Sequence, residues 1–200
     1  MKKQTEHTPW CRDHKGTVYT FEEYFDLMKN FHGYPAPGLI IGGRMVDVAL
    51  ERMPKGTLFD AISETSYCLP DAIQMLTLCT IGNAWLNVVD LGRFAMTLYD
   101  KYDGKGIRVY LDPAKMEPWQ EIMTWFYKLK PKPEQDNQLL RSQIKAAGSD
   151  LFSVREVQVA PRYMEKREKG KTTDCPQCGE AFPSNHGTIC RGCQGDAPYS

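Results

Sequence analysis

The chain of 200 residues has no surplus of either charge, with Lys+Arg and Asp+Glu at 25 each. That balance supplies no chain-wide field to draw in nucleic acid or a cationic partner, although local patches remain open. No apolar run approaches the ~20 residues that span a bilayer, so no membrane partner is expected. The opening MKKQTEHTPW carries two lysines with no apolar stretch behind them, which is not a secretory signal. The expected location is therefore cytoplasmic. There is no internal repeat. What is present is ordinary: 42% hydrophobic and 25% charged residues, enough for a packed core and unlike a disordered chain. The length suits one domain, or one core domain plus a small appendage.

The seven cysteines are Cys11, Cys68, Cys79, Cys175, Cys178, Cys190 and Cys193. An odd number without an export signal argues against a disulfide framework. Four of them crowd into residues 175–200. There, Cys175-Pro-Gln-Cys178 and Cys190-Arg-Gly-Cys193 are two CxxC pairs separated by eleven residues. Two intervening residues let both thiolates of a pair face one ion from a tight turn, and the second pair completes a tetrahedron. Zn²⁺ suits four thiolates, and four protein ligands leave no open position, so one structural zinc per chain is expected. An iron–sulfur cluster is the rival occupant. Gly179 after the first pair supplies the backbone freedom such a turn uses. With few large apolar residues nearby, the metal would supply the folding energy. His186 reads as a loop residue.

Along the rest of the chain, residues 1–20 read as polar and irregular. Residues 21–30 form a helix capped by Thr20, with Glu22 and Glu23 placed well for its dipole. His32-Gly33-Tyr34-Pro35-Ala36-Pro37-Gly38 is a loop. Leu39–Met53 repeats apolar residues at helical spacing, and Gly42 and Gly43 inside it imply a close approach by another element. Leu58–Thr65 reads as a strand and Pro70–Leu78 as a helix. Trp85–Val89, Ala95–Tyr99 and Ile107–Leu111 read as strands. Helices follow at Trp119–Leu129 and about Glu134–Ala147. Phe152–Val159 reads as a last strand with a phase slip at Arg155–Glu156 that suggests a bulge. The pattern is α+β, helices packed on a mostly antiparallel sheet, without regular βαβ alternation. The expected division is a core domain over residues 1–161, a charged linker over 162–171 and a zinc module over 172–200. The linker carries Arg162, Lys166, Arg167, Lys169 and Lys171 against Glu165 and Glu168. This is a weak nucleic-acid signal and reads first as a solvated charged segment.

A second candidate site gathers His32 in the glycine/proline loop, Cys68 before the Pro70 helix, Asp71 on its first turn, and Gln74, Cys79 and Thr80 beyond. Thiol, imidazole and carboxylate are the groups a transition metal or a nucleophilic mechanism uses. His32, Cys68, Asp71 and Cys79 are the candidate ligands of a second, core metal, and His32 and Cys79 are the catalytic candidates. Each also has an ordinary structural reading: turn residue, helix-start carboxylate or small buried hydrophobe. Cys68 and Cys79, at opposite ends of one helix, are too far apart to share an ion unless that helix is short. Cys11 and His14 in CRDH read as an exposed, unliganded pair.

FHGYPAPGLIIGGRM, ETSYCLPDAIQMLTLCTIG and NVVDLGRFAMTLYD, in that order over roughly residues 20–115, resemble the family of the E-type component of formylmethanofuran dehydrogenase. The CPQCGE…CRGC tail resembles the treble-clef zinc finger that many members carry. In that family the loop reads His-Gly-His, one residue, Cys-Pro-Gly. His32, Gly33, Pro37 and Gly38 match. Tyr34 stands at the second His and Ala36 at the Cys, so this loop lacks the family's thiol and the core cleft is expected to be degenerate. The resemblance implies an α+β core, often a homodimer, with the loop in a cleft that takes a small-molecule ligand. It also implies association with methanofuran formylation, whose molybdenum or tungsten pterin and iron–sulfur chemistry sits in other components of that enzyme. Catalysis by this chain alone is not expected. The readings that remain are a zinc-binding protein of this family, an accessory or catalytic protein in one-carbon or redox metabolism, and a regulatory module that binds nucleic acid or a protein partner.

Overall fold

The structure is a computed structural model and describes residues 9–165 and 170–199. Lys166, Arg167, Glu168 and Lys169 of the charged linker lie outside the described residues. The chain divides into two compact units, Met1–Met164 and Glu165–Ser200. Among the described residues, no helix is long and apolar enough to cross a membrane.

The first unit opens on an antiparallel hairpin, β1 (Pro9–Arg12) and β2 (Val18–Thr20). The sequence expectation of irregular chain up to residue 20 is corrected here. Strands this short show no readable period, and the hairpin is held from a distance. Asp47, fully buried, accepts the Arg12 backbone N–H at 3.1 Å and its Nε at 2.7 Å. Arg44 pairs with Asp47 and donates to the Trp10 carbonyl. Trp10 and Cys11 are buried, so Cys11 is not the exposed partner of His14 that the sequence suggested.

Helix α1 (Phe21–His32) starts as expected. The Thr20 hydroxyl accepts from the Glu23 N–H, and the Glu23 carboxylate accepts from the Thr20 N–H, a reciprocal capping box. Gly33 ends it with φ +88°. Helix α2 (Pro37–Arg52) is the centre of the unit, almost entirely buried and proline-started. Its glycines are where other elements come closest. A Cβ on Gly38 would lie 2.9 Å from the Cys68 Cβ, and one on Gly42 would lie 2.8 Å from the Ala72 Cβ. One on Gly43 would overlap the ring of Tyr24, a fully buried α1 residue whose hydroxyl donates to the Leu39 carbonyl at 3.1 Å.

After β3 (Phe59–Ser63) comes α3 (Leu69–Leu76), then β4 (Leu86–Val88), β5 (Ala95–Asp100) and β6 (Lys105–Leu111). Short helices α4 (Pro113–Met116) and α5 (Gln120–Phe126) precede α6 (Asn137–Ala147), β7 (Phe152–Gln158) and α7 (Pro161–Met164). The strands form a five-stranded sheet in the order β4-β3-β5-β6-β7, with β3 and β4 parallel and the other pairs antiparallel. Alternation sends Ala61, Met96, Leu98, Val109 and Leu111 into the core with α2 and α3. Thr97, Arg108 and Arg155 stand in register on the other face. The register of β6 with β7 runs unbroken from Lys105↔Gln158 to Leu111↔Phe152, so there is no bulge at Arg155–Glu156. The phase slip has another cause: Phe152 and Val154 face the core whereas Val157 lies on the opposite face of this edge strand.

The second unit has one hairpin, β8 (Thr172–Asp174) with β9 (Ala181–Pro183), and one large buried apolar side chain among its described residues, Phe182.

Because Tyr24 is buried and hydrogen-bonded, Gly43→Ala is expected to destabilise the chain by about 1–3 kcal/mol, as overpacking does, despite alanine's better helix propensity. Urea unfolding should show a lower midpoint. An unchanged midpoint would mean the Tyr24 ring yields and the contact is not tight.

Candidate metal centre and core site

In the second unit the two CxxC turns face each other. The Sγ atoms of Cys175, Cys178, Cys190 and Cys193 all lie within 4.8 Å of one another. Cys175 and Cys193 are 3.9 Å apart and Cys178 and Cys190 3.7 Å, sulfur to sulfur. A regular tetrahedron with Zn–S bonds of about 2.3 Å has edges of about 3.8 Å, so this set fits one zinc. The turns are built for thiolates. Gly179 at φ +80° lets its N–H return to the Cys175 carbonyl at 2.8 Å. The Cys190 N–H points at the Cys175 Sγ, and the Cys193 N–H at the Cys190 Sγ, both at 3.4 Å. Such N–H donors stabilise charge on sulfur. His186 stays outside the set, and its carbonyl accepts from the Gln194 amide.

In the first unit the candidate residues separate. His32, the last residue of α1, meets Asp71 on the first turn of α3, with Nδ1 2.6 Å from Oδ2. The Gln74 amide donates to the other Asp71 oxygen at 3.3 Å, and its Oε1 accepts from the Ile81 N–H at 3.2 Å. A carboxylate beside Nδ1 orients the ring and leaves Nε2 as the nitrogen that does not meet Asp71. The ring of Tyr34 lies 4.9 Å from that of His32, at 51°.

Cys68 stands at the N-terminal boundary of α3 with φ +54°, ψ −49° and no side-chain cap bond, and the Tyr67 carbonyl accepts from the Leu69 N–H across it at 2.5 Å. This is the strained γ-turn, uncommon for a residue with a side chain. The conformation turns the thiol onto Gly38, whose missing Cβ makes room, with Phe94 alongside. Burial, and then the Asp71 charge, push the Cys68 thiol above its ordinary value against the pull of Lys132.

Cys79 is elsewhere. The eight residues of α3 span about 12 Å, and beyond them the buried Cys79 Sγ lies 3.6 Å from the Phe59 carbonyl. Burial pushes this thiol up to about 11, with Asp60 adding to the shift and Thr77 and Lys101 opposing it. Among the described residues, the four finger cysteines are the only group of three or more ligand-type side chains close enough to share an ion. The core brings His32 and Asp71 together with Cys68 near the start of the same helix, and leaves Cys79 apart. Ala36, where the resemblance puts a thiol, is the buried N-terminal boundary of α2 and provides no cap.

Sequence reasoning missed Gln74's link from Asp71 to the following loop, and the aromatic cluster of Phe94, Trp125 and Phe126. It also missed Asp47, although a carboxylate inside the apolar stripe of α2 was a visible signal.

Residues 31–160 match the family described as "FmdE, Molybdenum formylmethanofuran dehydrogenase operon", and residues 166–200 match the "FmdE treble clef zinc finger". A crystal structure of a tungsten formylmethanofuran dehydrogenase FmdE-like protein from Syntrophus aciditrophicus is similar, with 50% sequence identity and a TM-score of 0.83 over 95% of this chain and 99% of that one. A probable S-adenosyl-L-methionine-binding protein of Archaeoglobus fulgidus is 30% identical over 172 residues, 76% of this chain. The chain spans about half of that relative, 46% of its length.

Elemental analysis of purified protein is expected to find one zinc per chain. Cys178→Ser should lose most of it, whereas Cys68→Ser and Cys79→Ser should keep it. Loss of zinc in either of the latter two would relocate the metal to the core.

Proposed function

The chain belongs to the FmdE family, and from that premise we propose that it is a zinc-braced binding protein whose core takes a small ligand at His32 and Asp71. The observation that carries this reading is the 2.6 Å contact of His32 with Asp71, made between residues 39 positions apart. It fixes the imidazole at the start of α3, partly exposed, with Nε2 as the nitrogen not engaged by Asp71. Asp71 orients the ring. Gln74 holds Asp71 in turn. Cys68 adds a polarisable sulfur beside the Phe94 ring. With Ala36 in the loop, the site has no second thiol, which favours binding and positioning over covalent chemistry. Of the two catalytic candidates, His32 retains solvent access whereas Cys79 is buried, so His32 carries the site in this reading and Cys79 serves packing.

The finger, with one zinc, braces its own unit. A homodimer and association with a one-carbon or redox enzyme follow from the family resemblance and complete the proposal, and the expected location stays cytoplasmic. The name of the Archaeoglobus relative supplies a first probe, S-adenosyl-L-methionine. Nothing in the described residues favours nucleic acid as the ligand of the core.

Calorimetric titration of the full chain with S-adenosyl-L-methionine tests the proposal, with zinc content and unfolding midpoint measured in parallel. Binding that falls at least about tenfold in His32→Ala, with zinc and midpoint kept, supports it. Asp71→Asn should weaken binding less, because the amide still orients the ring. Equal binding by wild type and His32→Ala would place the ligand elsewhere. Absence of binding by wild type would exclude this ligand.

A further inference from the structure

The sheet face turned away from α2 carries charge that the core site does not use. Glu64, buried just past β3, accepts two bonds from Arg108, Nε at 2.5 Å and Nη2 at 2.8 Å. The Arg93 Nε reaches the same carboxylate at 2.8 Å. Burial pushes Glu64 up, but the Arg108 and Arg93 bonds and charges outweigh it and hold the carboxyl below its ordinary value. Arg155 stands directly opposite Arg108 in the β6–β7 register. Both guanidiniums lie over the Tyr110 ring, 5.0 and 5.2 Å from its centre, and Arg155 donates to the Tyr110 hydroxyl at 3.3 Å.

Three guanidiniums thus run side by side, Arg93 to Arg108 through Glu64 and Arg108 to Arg155 through Tyr110. One carboxylate pairs with two of them. Asp112 also feels Arg155, and its oxygens accept from the Ser153 hydroxyl and the Ala114 N–H, which favour its charged form. Among the described residues, Arg155 has no ion pair. Like charges directly across a ladder are destabilising, and with Glu64 and Asp112 both counted against the three guanidiniums one positive charge in excess remains on this patch. Arg93 is 60% exposed and Arg155 is exposed, so both are open to solvent while Arg108, 17% exposed, is fixed by Glu64. Planar forks of this kind match the paired oxygens of phosphoryl and carboxylate groups.

We propose that Arg93, Arg108 and Arg155, gathered around Glu64 and Tyr110, form an oxyanion-binding site that takes the phosphoryl or carboxylate group of a small ligand. Arg108 is the fixed member, and Arg93 and Arg155 close on the anion from either side. The site lies on a different sheet face from the core residues Ala61, Met96 and Leu98, and it stands whether or not His32 binds a ligand.

The full chain, titrated calorimetrically at low salt with inorganic pyrophosphate and separately with citrate, tests this. Binding should weaken with added salt, and Arg155→Gln and Arg93→Gln should each weaken it about tenfold or more. Both substitutions leave Glu64 paired with Arg108, so folding is retained. Arg155→Lys, which keeps the charge and loses the fork, should fall between. Arg141→Gln, on α6, should bind as wild type. Tighter binding of pyrophosphate identifies a phosphoryl ligand, and tighter binding of citrate a carboxylate; either supports the site. If neither probe binds, or if both glutamine variants bind as wild type does, the proposal is overturned.

Discussion

Three glycines on one helix set the spacing of the first unit. Gly38, Gly42 and Gly43 remove the side chains that would otherwise hold α1 and α3 away from α2. Tyr24 of α1 then seats on Gly43, and Ala72 of α3 on Gly42. With both neighbours drawn onto one helix, the end of α1 and the start of α3 converge, and His32 meets Asp71. The site is a by-product of how closely three backbones approach. Each helical glycine costs roughly 1 kcal/mol against alanine, and the contacts it admits, fully buried Tyr24 among them, offset that.

The same close approach shapes the surroundings of Cys68. Its thiol rests on Gly38, and its backbone takes a positive φ to put it there. Strain of this kind persists where packing over-determines it. Asp47 does comparable work on the other side of α2, a buried carboxylate satisfied by two arginines that fasten the first hairpin. The finger follows a different rule. It has almost no apolar core, and its order depends on four sulfurs at the edge lengths of a zinc tetrahedron.

The sheet has two faces with separate chemistry. One is aliphatic and packs on the helices. The other carries Glu64, Arg108, Tyr110 and Arg155, brought into line by the register of β6 with β7. Alternation along each strand makes this possible: Arg108 and Val109 are neighbours in sequence and face opposite ways. An anion site there and a ligand site at His32 would share no side chain.

The capping box at Thr20, the helix holding Gly42 and Gly43, the runs that became β4, β5 and β6, and the spacing of Cys175, Cys178, Cys190 and Cys193 were legible in the chain alone. Each rests on local chemistry: a cap three residues from its partner, a period of 3.6 or 2, or two residues between thiols. The first hairpin was not legible, because β1 and β2 are too short to show a period and are fastened through Asp47, thirty-five positions from Arg12. Nor was the fate of the core candidates. Sequence named His32, Cys68, Asp71 and Cys79 as candidates and set the two cysteines at opposite ends of one helix, but the pairing of His32 with Asp71 and the seating of Cys68 on Gly38 came from the fold. Which side chains meet depends on how helices pack and how strands register. Those are settled by contacts between residues far apart in the chain, which no local pattern records.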